Sequence, residues 1–172
     1  PNQKIKLIRP VEEEKKSRKK REIFEPDERR IEWGVSMVHG DKVWEEYQIT
    51  GKGVTVGIID TGVNYKLPAL KKNYKGYDEA TGKFDRSYYK DFIDGMAEPM
   101  ADHVNDHGTH VAGTITGAEG ENLNRIGVAP GAKFISARAI NDQGGETSNL
   151  LAAAEWMLEQ KPDVINNSWG GD

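Results

Sequence analysis

The run Val54-Thr55-Val56-Gly57-Ile58-Ile59 stops abruptly on a carboxylate, Asp60, followed at once by Thr61-Gly62. It is nearly all β-branched and does not alternate with polar residues. A strand of that kind must be covered on both faces, which is the condition of a parallel sheet. The rest of the chain must therefore supply partner strands and covering helices. Lys133 to Ile140 reads as a second strand and Asp163 to Ser168 as a third. Between the first two, a helix is expected from about Asp106 through about Gly117, built on Gly, Thr and Ala. Between the last two, Glu146 to Gln160 reads as an amphipathic helix capped by Thr147 or Ser148, with Leu150, Leu151, Ala154, Met157 and Leu158 on one face. Strand, helix, strand, helix, strand is the pattern of an α/β fold with a mainly parallel sheet and crossover connections. A further short helix is expected where Asp41 can cap Val43, Trp44 and Tyr47 and Gly51 can end it. Residues 64 to 105 read as loops with one short strand near Phe92.

The texture changes near residue 30. Lys4 to Arg9 alternates charged and apolar residues until Pro10, as a short edge strand would. Glu12 to Arg21 is almost wholly charged and has no apolar face, so it reads as a solvated linker exposed to proteolysis. Residues 1–30 and 31–172 are therefore taken as separate units. With 36% hydrophobic residues and a net charge of −4, the 172-residue chain offers no case for a nucleic-acid partner. No run approaches the ~18 apolar residues that a membrane helix needs. There is no cysteine, hence no disulfide framework and no thiol nucleophile. No signal peptide is visible, but the chain opens on Pro1 rather than Met, so that says nothing of its destination.

Two residues stand where chemistry is expected. Ligands of open α/β sheets bind beyond the carboxyl ends of the strands. Asp60 sits at such an end, and a carboxylate there either caps its own turn or serves a partner. His107 falls in the first turn of the expected helix, with Gly108 leaving room for close approach. A neutral imidazole with one nitrogen on a carboxylate can take a hydroxyl proton with the other. His110 reads as a packed, hydrogen-bonded structural residue. The rival reading is a zinc site, since Asp102, His103, Asp106, His107 and His110 lie close in sequence. HExxH is absent, and the intervening Gly and Thr suit backbone approach better than a ligand cage.

Four segments, in order, resemble the subtilisin-like (subtilase) serine protease family. Ile58-Ile59-Asp60-Thr61-Gly62-Val63 resembles its Asp motif, and His107-Gly108-Thr109-His110-Val111-Ala112-Gly113-Thr114 matches its His motif throughout. Gly127-Val128-Ala129-Pro130-Gly131-Ala132 is similar to the turn before its next strand. Val164-Ile165-Asn166-Asn167-Ser168-Trp169-Gly170-Gly171 is similar to the strand lining its cleft, in the wording of bacillopeptidase-F-type enzymes. The resemblance covers about residues 31 to 172. It implies a three-layer subtilisin-like fold and a serine endopeptidase acting through an acyl-enzyme. Asp60 would orient the ring and His107 would be general base, then general acid. Ser168, Trp169 and Gly170 would form one substrate-binding edge, and Gly144, Gly145 and Glu146 the other. On residues alone, Gly144-Gly145 is an ordinary turn.

The same resemblance carries further expectations. Residues 1–30 would be the remnant of a prodomain that occupies the cleft. The family nucleophile lies in a Gly-Thr-Ser segment before a helix, and none of Ser17, Ser36, Ser87, Ser136, Ser148 and Ser168 has that context. The oxyanion Asn is missing too, and Asn166 and Asn167 lie on the cleft strand itself. The expected partners are thus a peptide or protein substrate and a Ser-bearing C-terminal segment or chain. The 172 residues alone are expected to be inactive, and their end at Asp172 to leave an unpaired edge strand. No cofactor is needed for the chemistry. Structural calcium is expected on oxygens of Asp94 to Asp106 or Glu119 to Asn124, with no loop spacing to choose between them. An extracellular location follows from the family alone. The alternative function is a pseudoprotease that grips peptides without cutting them.

Overall fold

The computed structural model describes residues 4–5, 31–98, 106–119 and 123–171. In chain order the strands are β1 (Lys4–Ile5), β2 (Thr55–Asp60), β3 (Tyr77–Asp78), β4 (Lys83–Phe84), β5 (Tyr89–Asp91), β6 (Ala118–Glu119), β7 (Leu123–Arg125), β8 (Lys133–Arg138), β9 (Gly145–Glu146) and β10 (Val164–Asn166). The α-helices are α1 (Trp33–Met37), α2 (Gly40–Tyr47), α3 (Pro68–Lys71), α4 (His107–Thr116) and α5 (Thr147–Gln160). The charged stretch from Glu12 to Arg21 lies outside the described residues, as do Lys6 to Arg9 of the expected edge strand.

The main sheet has the order β10-β2-β8-β5, and all three pairings are parallel. β2 is its best-protected strand, with every residue from Val56 to Asp60 buried. Alternation along β2 and β8 sorts the core into two clusters. Val56, Ile58 and Phe134 join Ala112 of α4 and the tyrosines of residues 65–89. Ile59, Ile135 and Ala137 join Leu150, Ala153, Trp156 and Met157 of α5. Helices thus cover the sheet on two faces, which is why the β2 run carries no polar alternation. The architecture is α/β with a mainly parallel sheet, as the pattern of the sequence requires.

Several local readings are corrected. The buried face of α5 is Leu150, Ala153, Trp156 and Met157, while Leu151 and Leu158 are 61% and 68% exposed. Leu150 and Met157 belong to two stripes of helical spacing, and the sheet selected the one that adds Ala153 and Trp156, with Met157 set over Gly57. A Cβ on Gly57 would lie 2.4 Å from the Met157 sulfur. Neither Thr147 nor Ser148 caps α5; Glu146 occupies the N-cap with no side-chain hydrogen bond, because β9 runs into the helix in extended conformation. Asp41 lies inside α2, whose ends are residues with left-handed backbone, His39 and Gln48, rather than Asp41 and Gly51. Trp44 fastens α2 to the following core through an Nε1–H bond of 2.9 Å to the Val128 carbonyl.

Residues 64 to 98 hold more structure than expected: α3, the β3–β4 hairpin, a 3-10 turn over Arg86–Tyr88, and β5. The strand foreseen near Phe92 is β5, ending one residue earlier. Tyr65 stacks on Tyr74 with ring centroids 4.1 Å apart, and Phe84, Tyr89 and Phe134 close around them. These aromatics are spaced irregularly, so no strand or helix period announces them. The third strand is shorter than expected, Val164–Asn166, and α1 and the β6–β7 pair were not foreseen. Among the described residues no helix is long and apolar enough to cross a membrane.

Candidate active site

Asp60 is the last residue of β2 and is fully buried. Its Oδ1 accepts the Thr61 amide at 2.7 Å and lies 2.8 Å from Nδ1 of His107. His107 opens α4, and its side chain keeps 19% exposure. The ring is therefore held by a buried acceptor on one nitrogen while its body reaches solvent. An ionised aspartate can only accept, so the proton of this bond belongs on Nδ1, and Nε2 is left as the basic nitrogen. Asp60 Oδ2 is buried and has no hydrogen-bond partner among the described residues.

What joins strand end to helix start is backbone stitching. The Gly108 amide donates to Thr61 Oγ1 at 2.9 Å, and the Asn64 amide donates to Thr109 Oγ1 at 3.0 Å. A Cβ on Gly108 would stand 2.4 Å from the Gly62 carbonyl oxygen and 3.1 Å from Asp60 Cβ. Gly62 itself has φ +94°, which a side chain rarely adopts. The turn after Asp60 and the first turn of α4 approach this closely because both lack side chains at the crossing point.

Arg138 was not singled out from the sequence, although a lone cation ending an apolar strand is a readable signal. It pairs in register with Asp60, and its stem packs under Gly62. Its guanidinium donates to Asp91 at 2.8 Å and to Asp94 at 2.7 Å. Burial works against the Arg138 charge, but the bonds to Asp94 and Asp91 outweigh it and hold the group above its ordinary range. Asp91, buried at the end of β5, also accepts the amides of Ile93 at 2.8 Å and Asp94 at 3.3 Å. The ends of β5 and β8 are thus clamped beside the end of β2.

The other site candidates lie on either side of Asp60 in the sheet order. After β8 the chain turns through Asn141 to Gly144, closed by the Asn141 amide on the Gly144 carbonyl at 3.1 Å and the reverse bond at 3.0 Å. Gly144 has φ +102°, which explains a glycine there. Gly145 and Glu146 then form β9, and β9 carries a partner: β1 pairs with it antiparallel, Lys4 opposite Glu146 and Ile5 opposite Gly145. After β10, Ser168 Oγ accepts from Asn166 Nδ2 at 2.9 Å. Trp169 Nε1 donates to the Ile59 carbonyl at 2.8 Å, anchoring the Ser168–Gly170 segment beside Asp60. The structure brings Asp60 and His107 into direct contact; the two outer segments flank them without a described bond to either.

The metal readings fare differently. Among the described residues no group of three His, Asp or Glu side chains could hold a metal ion. Asp102 and His103 lie outside those residues. His107 is engaged with Asp60, and His110 is exposed rather than packed, which corrects the structural reading of that residue. Of the candidate calcium oxygens, Asp94 is taken by Arg138, and Glu98 by Lys66 and Arg86. Those cations already balance the carboxylates, so neither fits a calcium ligand as it stands. Residues 99–105 and 120–122 lie outside the described residues.

The family model described as the subtilase family matches residues 51–172. Bacillopeptidase F of Bacillus subtilis (strain 168) is 41% identical over 155 residues, which cover 82% of this chain and 10% of that protein. The minor extracellular protease Vpr of the same strain is 42% identical over 125 residues, covering 70% of this chain and 14% of its own length. The intracellular serine protease of Paenibacillus polymyxa is 36% identical over 145 residues, 80% of this chain and 39% of that one. The chain thus spans between about a tenth and two fifths of these relatives. A matching family model over more than half its length, on a parallel α/β sheet ending in a bonded Asp–His pair, makes this chain a member of the subtilase family.

Proposed function

We propose that this chain supplies the acid–base half of a serine endopeptidase centre, with Asp60 orienting His107 and the nucleophile coming from sequence beyond these residues. The observation that carries the reading is the 2.8 Å bond between a fully buried Asp60 and Nδ1 of His107 in a subtilase chain. In the reaction, His107 Nε2 takes the proton of a serine hydroxyl as it attacks a peptide carbonyl, then delivers it to the leaving amine. Asp60 holds the tautomer and stabilises the imidazolium without becoming protonated. The oxyanion donor, like the nucleophile, would come from the same further sequence.

Substrate would lie between Gly144–Glu146 and Ser168–Gly170, extended and paired with one or both edges. The pairing of β1 with β9 supports this, because it is an extended segment already seated on that edge. The same pairing supports the reading of residues 1–30 as a leader that occupies the cleft. Of the relatives, Vpr is named extracellular and the Paenibacillus protein intracellular. We extend an extracellular setting to this chain on the first of these, and fractionation of the source cells checks it.

Intact-mass analysis of purified material treated with a fluorophosphonate probe tests the reading. The expected result is no adduct on these 172 residues and one adduct on co-purifying or continuous Ser-bearing sequence. An adduct there that persists at the same rate in His107→Ala would overturn the role of His107, whose removal should slow labelling by about 10²–10⁴-fold. Adduct-free material containing the full relative-length sequence would favour the peptide-gripping pseudoprotease. The same spectrum reads the amino terminus, and an active form that still begins at or before Lys4 would refute the leader.

A further inference from the structure

The Asn141–Glu146 segment is acidic and carboxamide-rich, and it lines a cavity of about 330 Å³. Asn141, Gln143, Glu146 and Asn149 face that space together with Ile93, and among the described residues no Lys or Arg does. Glu146 is exposed and stands at the N-cap of α5, yet its side chain makes no capping hydrogen bond. Ser, Thr, Asp and Asn are the side chains that cap well, and the Glu146 carboxylate is not engaged by the helix start.

The register says what it meets. Lys4 is directly opposite Glu146 in the antiparallel β1–β9 pair, with Ile5 opposite Gly145. Residues directly opposite on neighbouring strands have Cβ atoms about 4.5–5.5 Å apart, and unlike charges there stabilise the pair. Gly145 lets the edge lie flat on the core, since a Cβ there would sit 3.2 Å from both Ile140 and Leu150. The edge is therefore apolar at one position and anionic at the next, and the register of β1 sets Lys4 at the anionic position.

We infer that Glu146 is a specificity-determining residue of this edge, selecting extended segments with Lys or Arg at the position opposite it. This rests on the reading of Gly144–Glu146 as a peptide-binding edge. Lys4 is then the internal occupant of a site that takes basic residues in trans, and substrate with an acid at that position is disfavoured by like-charge opposition.

The test is a charge-reversal cycle in the full 172-residue chain, read by hydrogen exchange at the β1–β9 amides. Lys4→Glu and Glu146→Lys should each lower protection by about two- to fivefold. The double variant should recover it, and added salt should shrink all three effects. Losses that add in the double variant, or singles without effect, overturn the charge rule. In a second arm, a labelled peptide of residues 2–9 is titrated against the Lys4→Glu chain, beside the same peptide with Glu in place of Lys4 and Lys6 kept. Tighter binding of the lysine peptide by a similar factor, lost in Glu146→Gln, supports the inference. Equal binding of both peptides leaves the edge reading standing and refutes the role of Glu146. Binding of neither, with unprotected β1–β9 amides in the unaltered chain, refutes the edge reading itself.

Discussion

At the scale of single residues, the site depends on an atom that is missing. His107 meets Asp60 because Gly108, next in the chain, allows α4 to touch the Gly62 carbonyl. Ala at Gly108 would force the helix start away from backbone, which cannot rotate aside as a side chain can. Gly108→Ala should therefore cost about 1–3 kcal/mol in stability. It should also lengthen the Asp60–His107 bond, seen as loss of the downfield Nδ1 proton resonance in NMR. A stable Gly108→Ala chain with that resonance unchanged would mean the close approach has no part in building the pair. Gly108 was noted from the sequence as leaving room; that it clears one particular carbonyl emerged from the crossing of two distant segments.

At the scale of elements, α5 shows how a helix chooses its face. Met157 is fully buried over Gly57 and Leu158 is 68% exposed, although both belong to one apolar stripe in sequence. Met157→Ala should cost about 2–5 kcal/mol by leaving a cavity against the sheet. Leu158→Ala should fall within about 0.5 kcal/mol of the unaltered chain, as an exposed substitution does. Urea midpoints of the two variants measure the difference directly. Equal losses would restore the stripe of Leu150, Leu151, Ala154, Met157 and Leu158. The clamp of Arg138 on Asp91 and Asp94 belongs to this scale too. It ties two strand ends together, and the pairing could not be read because Asp91 and Arg138 are far apart in sequence.

For the whole molecule, the aromatic cluster between sheet and α3 sets the behaviour in alkali. Burial pushes the phenols of Tyr65, Tyr74 and Tyr89 above their ordinary value. All three are at most 5% exposed. Unfolded tyrosines titrate near about 10, so above that pH the unfolded chain loses protons that the folded chain keeps. Fewer protons on the unfolded state means that stability falls as pH rises. Their contribution should be level below about pH 10 and drop above it by about 1.4 kcal/mol per pH unit for each buried tyrosine. The hydroxyls of Tyr65 and Tyr89 have no partner among the described residues, so Phe at both should cost little near neutral pH. Urea melts from about pH 8 to 11 should show a shallower alkaline decline in that double variant. Comparing the two chains removes the lysines, which titrate in the same range. An unchanged slope would place the loss elsewhere.

Local sequence determined the strand ending on Asp60, the small-residue helix opening on His107, the two later strands and the α/β class. Each is written in a contiguous run: β-branched residues demand burial on both faces, and an eight-residue motif carries its own turn and helix start. Tertiary structure alone decided which stripe of α5 faces inward, which irregularly spaced tyrosines form a core, and that Arg138 pairs with Asp91 and Asp94. It also decided that β1 pairs with β9 rather than standing apart. The reason is the same in every case. Periodicity and turn chemistry act over a few residues, whereas a helix face, an ion pair and a strand register are chosen by what the rest of the chain sets against them.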